Sequence, residues 1–213
     1  MDICPNVESK PSIAVVDDDD AVLRSVTRLL SVHGFDATGY SSPEQLLAAL
    51  GDAAPDCIVA DLAMPGINGF DLQRSLAGLE TEYPLVFITG FGDIRTSVEA
   101  MKNGAVDFLA KPVDQSELID AVGRAIARGR RAREQAGRLE KYRHRFNSLT
   151  SREREVFVLV VAGRLNKQIA ATLGIAEKTV KVHRARVMRK MSVRSVAGLA
   201  RVAERIGIET PLR

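Results

Sequence analysis

The pattern that decides the fold lies in residues 85–111, which read LVFITGFGDIRTSVEAMKNGAVDFLAK. A short apolar run opens the segment, apolar residues at helical spacing follow (Ile94, Val98 and Met101), and a second apolar run closes it at 108–110. Short apolar runs separated by a helix are typical of parallel strands, because parallel neighbours need a long crossover connection. The segment therefore predicts a strand, a helix and a second parallel strand.

The same alternation extends through the first half of the chain. Further apolar runs predict strands at 13–16 and 57–60 and, more weakly, at 35–40. Apolar stripes at helical spacing lie between them, and Ser42-Pro43 is a typical helix start. We therefore expect an α/β domain with a doubly wound, parallel five-stranded sheet that carries helices on both faces.

Polar side chains follow the predicted strands at the edge where ligands bind in such sheets. They are Asp17 and Asp18 after the first strand, Asp61 after the third, Thr89 after the fourth and Lys111 after the fifth. Crowded carboxylates repel one another unless a cation lies between them, and Mg²⁺ suits oxygen ligands when phosphate is also present. A carboxylate can accept a phosphoryl group, with the metal, an ammonium and a hydroxyl stabilising its charge. The sequence thus predicts Mg²⁺-assisted phosphorylation of an aspartate.

The charge distribution predicts two modules with different partners. Residues 1–121 contain 7 Lys/Arg and 20 Asp/Glu, a net charge of −13, whereas residues 122–213 contain 23 and 7, a net charge of +16. A basic half attracts polyanions, above all nucleic acid. The two cysteines suggest no disulfide framework, and no apolar run is long enough for a membrane span. The first residues, MDICPNVESK, carry acids where a signal peptide needs bases, and no apolar core follows, so we expect a cytoplasmic protein without a membrane partner.

The basic half shows the pattern of a helix-turn-helix. A capping box, Thr150 to Glu153, precedes a first helix. Asn166 is a candidate cap for a second helix at 167–173, Gly174 permits a tight turn, and a third helix is expected at about 177–191. Two helices joined by a short turn that contains glycine form the DNA-binding motif.

The third helix sorts into an apolar and a basic face at 100° per residue. Val180, Val187 and Met191 form the expected core face. Basic side chains with small apolar groups among them suit a helix in the major groove. The predicted DNA-binding residues are Lys178, Thr179, Lys181, Val182, Ala185, Arg186 and Arg189.

Both halves resemble known families. IAVVDD, ADLAMPGINGFDL, VFITGFGD and VDFLAKP resemble the receiver domain of two-component response regulators, and the segment from LTSRER through TVKVHRA to ARVAER resembles the LuxR-type output domain. Together they are similar to the NarL/FixJ family, especially its FixJ branch. The resemblance implies a (βα)5 receiver at 11–125, a basic and partly helical linker at 126–142, and an all-α four-helix LuxR-type helix-turn-helix domain at 143–208.

The resemblance also implies roles for the strand-end residues. Asp61 matches the phosphoacceptor, Thr89 and Lys111 match the residues that contact the phosphoryl group, and Phe108 matches the switch position where many members carry Tyr. The expected Mg²⁺ site consists of Asp18 as a direct ligand, Asp17 acting mainly through water, Asp61 and the backbone carbonyl of Ala63. A cis bond is expected before Pro112.

The implied function is that of a transcription regulator and not of an enzyme. A sensor histidine kinase would phosphorylate Asp61, and the phosphorylated receiver would form a homodimer. The dimer would bind double-stranded DNA and regulate transcription by RNA polymerase, and the similarity to the FixJ branch favours activation. The expected dimer face is Val98, Met101, Lys102 and Leu109. Masking of the basic half by the acidic receiver is an alternative to inhibition by lack of dimerisation.

Three further alternatives stay open on the sequence. A phosphatase that uses an aspartyl-phosphate would need a second acid in an Asp-x-Asp motif, and Asp61-Leu62-Ala63 lacks it. A receiver controlled by a partner protein without phosphate is disfavoured by the complete acidic set. The linker is either a solvated connector or an extra arm that contacts phosphates.

Ala176 stands where the family often has a Ser or Thr cap, so a looser start of the third helix is expected.

Overall fold

The computed structural model describes residues 10–50, 54–79, 81–90 and 94–208. The described residues up to Arg133 form one compact unit, and those from Glu134 onward form a second. This division falls inside the predicted linker, 126–142, and the finer domain bounds stay a prediction. Within the described part of the chain, no helix is both long and apolar enough to cross a membrane.

The first unit contains a five-stranded sheet in the order β2-β1-β3-β4-β5, with every neighbouring pair parallel. The strands are β1 Ser12–Val16, β2 Asp36–Tyr40, β3 Cys57–Asp61, β4 Leu85–Thr89 and β5 Asp107–Ala110. The helices are α1 Asp20–Val32, α2 Pro43–Ala49, α3 Gly69–Ala77, α4 Ile94–Lys102 and α5 Gln115–Asn147. The predicted doubly wound α/β fold is confirmed.

The core of the first unit consists of two apolar clusters, one on each face of the sheet. Ile13 and Val15 of β1 pack with α1 and the start of α5 through residues such as Leu30 and Leu118. Val16, the next residue of β1, belongs to the opposite cluster, to which α2 and α3 contribute. Because side chains alternate along a strand and helices cover both faces, β1, β3 and β4 are apolar at nearly every position.

Local signals in the sequence place the helix starts. The Ser42 side chain accepts a hydrogen bond from the Gln45 N–H, and Pro43 is the first residue of α2, as predicted. Asp114 Oδ1 accepts from the N–H groups of Ser116 and Glu117 at the start of α5. These side chains satisfy N–H groups that have no partner inside the helix.

The described residues of the second unit, up to 208, form helices and no strand, with α6 Ser151–Val161, α7 Asn166–Leu173, α8 Glu177–Met191 and α9 Val196–Arg205. Its core joins Phe157 of α6, Ile169 of α7, Met191 of α8 and Leu199 of α9. Gly174 has a φ of 64°, so it forms the left-handed turn expected between α7 and α8. The four helices confirm the predicted all-α architecture.

Asn166 is not the cap that the sequence suggested. It is the first residue of α7, and the capping position belongs to Leu165, whose N–H donates to Gln168 Oε1 at 2.8 Å. Asn166 Oδ1 instead accepts from Arg184 Nη1 of α8 at 2.7 Å. The Asn166 side chain therefore bonds to Arg184 of another helix and, contrary to the prediction from the sequence, does not cap the start of α7. The start of α8 has no side-chain cap at Ala176, as expected.

Candidate functional site

The carboxyl ends of the strands bring three acidic side chains together. Carboxylate oxygens of Asp17, Asp18 and Asp61 all lie within 4.8 Å of one another. Asp17 and Asp61 are buried, whereas Asp18 is exposed. Thr89 at the end of β4 is also buried, and its carbonyl accepts from the Lys111 N–H at 2.8 Å. The predicted strand-end residues thus lie at one edge of the sheet.

Lys111 provides the positive charge of this edge. Its Nζ donates to Asp17 Oδ2 at 2.7 Å and to Asp61 Oδ2 at 3.0 Å. Burial lowers the pKa of Lys111, but the hydrogen bonds to Asp17 and Asp61 outweigh that effect, so the pKa lies above its usual value. The peptide bond before Pro112 is cis, as expected.

Backbone groups fix the orientation of both buried carboxylates. Asp61 Oδ1 accepts from the N–H of Leu62 at 2.6 Å and of Ala63 at 3.3 Å, and Asp17 Oδ1 accepts from the Asp19 N–H at 2.9 Å. With one oxygen of each bound to backbone and the other to Lys111, the carboxylates hold a defined geometry. This is the preorganisation that a nucleophile or metal ligand needs.

The site also depends on two residues that the sequence analysis did not single out. Asp19 accepts from the N–H groups of Ala21 and Val22, so it caps α1, which an Asp directly before an apolar helical stripe could have revealed. Gly69 starts α3 against the end of β3, and a Cβ there would come within 2.8 Å of the Asp61 carbonyl oxygen. No local sequence signal indicates that close approach.

The donor set fits a hard divalent cation. Three carboxylates within reach of one ion supply oxygen ligands, and one ammonium does not balance their charge. Oxygen ligands with a nearby phosphate position favour Mg²⁺. The residues that could hold it are Asp17, Asp18 and Asp61, and the carbonyl of Ala63 stays a prediction from the resemblance.

The predicted switch and dimer residues lie in different environments. Phe108 is half-buried against the apolar cluster that contains Val16 and Phe87. Val98, Met101 and Lys102 of α4 are exposed. Leu109 is buried in the other cluster, because its side chain points to the opposite face of β5 from Phe108. Leu109 therefore does not belong to an exposed dimer face.

The two faces of α8 are those expected. Val180, Val187 and Met191 are buried in the core of the second unit. All of the predicted DNA-binding side chains are exposed, namely Lys178, Thr179, Lys181, Val182, Ala185, Arg186 and Arg189. An ion pair at the other end of the helix, between the half-buried Lys190 Nζ and the buried Glu153 Oε2 at 2.6 Å, was not predicted. It joins α8 to the capping box of α6.

Comparison with known proteins agrees with both units. Residues 13–123 match the family described as response regulator receiver domain, and residues 147–203 match bacterial regulatory proteins of the luxR family. Nodulation protein W of Bradyrhizobium diazoefficiens is 43% identical over 94% of this chain and 88% of its own length. The transcriptional regulatory protein FixJ of Rhizobium meliloti is 40% identical over 90% of this chain and 94% of its own. The chain is a two-component response regulator.

Solved structures support this assignment for the whole chain. The response regulator StyR has 42% sequence identity and a TM-score of 0.76, covering 92% of this chain and 98% of StyR. Full-length FixJ from B. japonicum has 37% identity and a TM-score of 0.57, covering 94% and 99%. The response regulator therefore combines a receiver with a LuxR-type helix-turn-helix, as in the NarL/FixJ family, and is a transcription regulator and not an enzyme.

Proposed function

We propose that this response regulator is switched by phosphorylation of Asp61 by a sensor histidine kinase. The observation that carries the proposal is the convergence of Asp17, Asp18 and Asp61 around Lys111 Nζ, which bonds to both buried carboxylates. A buried carboxylate with acidic neighbours and one ammonium is suited to accept a phosphoryl group whose charge the surrounding residues balance.

The chemical step is a phosphoryl transfer to a carboxylate oxygen. An oxygen of Asp61 attacks the phosphorus of a phosphohistidine, the new O–P bond forms as the N–P bond breaks, and the imidazole leaves. Lys111 Nζ, which already bonds to Asp61, would then donate to a phosphoryl oxygen. The hydroxyl of Thr89 would donate to another.

Mg²⁺ held by Asp17, Asp18 and the Ala63 carbonyl would neutralise charge on the transferring phosphoryl group. The direct role falls to Asp18, because its carboxylate is exposed. Asp17 is buried and bonds to Lys111 and to the Asp19 N–H, so it would contribute mainly through water.

The output of the switch is dimerisation and sequence-specific DNA binding. Movement of Thr89 toward the phosphoryl group would let the half-buried Phe108 turn inward and change the surface of α4. Val98, Met101 and Lys102 offer an exposed, partly apolar face for a second copy. Two joined helix-turn-helix domains gain affinity through effective concentration. Such a dimer on bacterial DNA would act in the cytoplasm and activate transcription by RNA polymerase.

Phosphorylation by labelled acetyl phosphate tests the proposal on the full chain. Wild type is expected to take up label with Mg²⁺ and little without it, and Asp61→Asn is expected to take up none while it keeps its fold. Asp36→Asn, at an exposed position of β2, is the matched control and should label like wild type. Label on the Asp61→Asn variant in the form of an acyl phosphate would contradict the assignment.

A further inference from the structure

A buried amide joins α3 to α4. Gln73 of α3 is only 6% exposed, and its Nε2 donates to the Ala100 carbonyl of α4 at 3.1 Å. Its Oε1 has no hydrogen-bond partner among the residues that the structure describes. An unsatisfied buried oxygen is unfavourable, and a methionine or leucine of similar size would fill the position without one. Packing alone therefore does not explain the glutamine.

The helix that receives this hydrogen bond buries few of its own side chains. Ala100 is the one buried residue of α4, whose residues are all described, and Ile94 at its start is 85% exposed. The Ala100 carbonyl also accepts from the Ala105 N–H at 3.1 Å in the turn that ends the helix at Gly104, where φ is 98°. Gln73 thus bonds to the point where α4 joins the core.

We propose that Gln73 is a positioning residue that holds the last turn of α4 and thereby orients its exposed apolar face for pairing with a second copy of this chain. The inference rests on the proposed function, which gives that face, Val98 and Met101, its role. Because the hydrogen bond is made at Ala100, two residues before the end of α4, it fixes the direction in which the helix leaves its last turn. The amide therefore matters for the orientation of the face and not for the stability of the fold.

Gln73→Met tests the inference, because methionine keeps the length of the side chain and removes both polar atoms. In the full-length variant, amide exchange in residues 94–105 is expected to accelerate while exchange in β1, β3 and β4 stays at the wild-type rate. The dissociation constant of the acetyl-phosphate-treated dimer should rise about fivefold, the loss expected for one hydrogen bond. Labelling of Asp61 should not change. Ser75→Ala is the control, because the Ser75 hydroxyl bonds within α3, to the Asp71 carbonyl.

The two readouts separate this inference from the proposed function. Wild-type exchange rates in residues 94–105 of Gln73→Met would overturn the tether, and so would a uniform acceleration across the sheet, which would reveal a role in global stability. Faster exchange in α4 with an unchanged dimer constant would overturn its role in pairing. If wild type neither takes up label nor dimerises, the proposed function fails, and the exchange measurement still decides whether Gln73 holds α4.

Discussion

Two kinds of carboxylate meet at the acidic edge of the sheet. Asp17 is buried and hydrogen-bonded to Lys111 and to backbone, whereas Asp18 is exposed. Removal of Asp17 would take away the acceptor of hydrogen bonds from Lys111 Nζ and from the Asp19 N–H, which is costly where these groups are shielded from water. Asp18 is exposed, so its replacement should change metal binding without lowering the stability of the fold.

Asp18→Ala is expected to weaken Mg²⁺ binding by at least about tenfold, because it removes a ligand and a negative charge. Asp20→Ala is the matched control, since it removes another exposed carboxylate two residues along the chain. Calorimetric titration with Mg²⁺ measures both. Equal affinities for Asp18→Ala and wild type would show that the predicted metal site is wrong.

Glu153 makes a pH-dependent contribution to the stability of the second unit. Burial raises its pKa, but hydrogen bonds from Lys190 and from the Thr150 N–H outweigh that effect and hold the pKa below its ordinary 4.5. A depressed carboxylate pKa stabilises the folded state above the unfolded pKa, and this contribution is lost as the pH falls through the folded pKa.

Glu153→Gln is therefore expected to lower the free energy of unfolding of the second unit by about 1–3 kcal/mol at neutral pH. It should also flatten the loss of stability below pH 4.5. Hydrogen exchange of core amides in α6, followed as the pH falls, measures both effects. Glu155→Gln is the control, because its ion pair with Arg152 is exposed and such pairs contribute about 0–1 kcal/mol. A Glu153→Gln variant as stable as Glu155→Gln would contradict this role.

At the scale of elements, the first part of the predicted linker, 126–133, is helical and packs against the first unit. Gly129 of α5 lies against Pro84, and a Cβ at Gly129 would come within 2.7 Å of Pro84 Cγ. Arg124, Arg128 and Arg133 form ion pairs with Asp107, Glu82 and Asp56 of the same unit. The whole predicted linker, 126–142, lies inside one helix that runs from Gln115 to Asn147, so it is fully and not partly helical.

The three glycines of α5 form a matched series. Gly123→Ala and Gly137→Ala are each expected to stabilise the protein by about 0.5–1 kcal/mol, because alanine favours the helix and a Cβ there meets no atom within 4 Å. Gly129→Ala should destabilise the first unit instead, since Pro84 must move. Thermal unfolding of the full chain compares the three variants, and amide exchange in β3 and β4 reports the effect of Gly129→Ala on the first unit. Similar stabilisation in all three variants would show that α5 does not pack against Pro84.

The exposed face of α8 is predicted to make two kinds of DNA contact, with base edges and with phosphates. Lys181→Ala and Val182→Ala are expected to weaken binding to a specific site more than binding to random DNA, since base contacts carry specificity. Arg189→Ala should weaken both, because a phosphate contact does not depend on sequence. Titrations with both DNAs at one salt concentration compare the variants. Equal losses on the two DNAs for all three would argue against direct readout by α8.

The whole molecule carries charges of opposite sign in its two halves, −13 for residues 1–121 and +16 for residues 122–213. That contrast supports masking of the basic half in the unphosphorylated state, whereas the exposed face of α4 supports control by dimerisation. Both mechanisms predict stronger DNA binding after phosphorylation. To separate them, the DNA affinity of the full chain must be compared with that of a fragment that lacks the receiver.

Removal of residues 1–133, at the division between the units, is expected to give a fragment of intermediate affinity. It should bind DNA more tightly than the unphosphorylated full chain, because masking is lost, and less tightly than the phosphorylated chain, because it cannot pair through α4. Titration with specific DNA measures all three. Sedimentation of the phosphorylated protein as a monomer at micromolar concentration would exclude the dimer mechanism.

Sequence alone determined the features that depend on neighbours in the chain. Apolar periodicity predicted the five strands, and the residues after them, such as Asp61 and Lys111, predicted the edge where they meet, because parallel strands all end on one side. Capping residues such as Ser42 and Thr150 predicted helix starts for the same local reason.

Only the tertiary structure decided which distant residues touch. The bond from Gln73 to Ala100, the pair of Glu153 with Lys190 and the contact of Gly129 with Pro84 join separate elements and leave no periodic trace in the sequence. Asn166 illustrates the same limit, since Arg184 of another helix takes the oxygen that a local reading assigned to a cap. The physical reason is that such contacts form between side chains that packing brings close in space, whatever their separation along the chain.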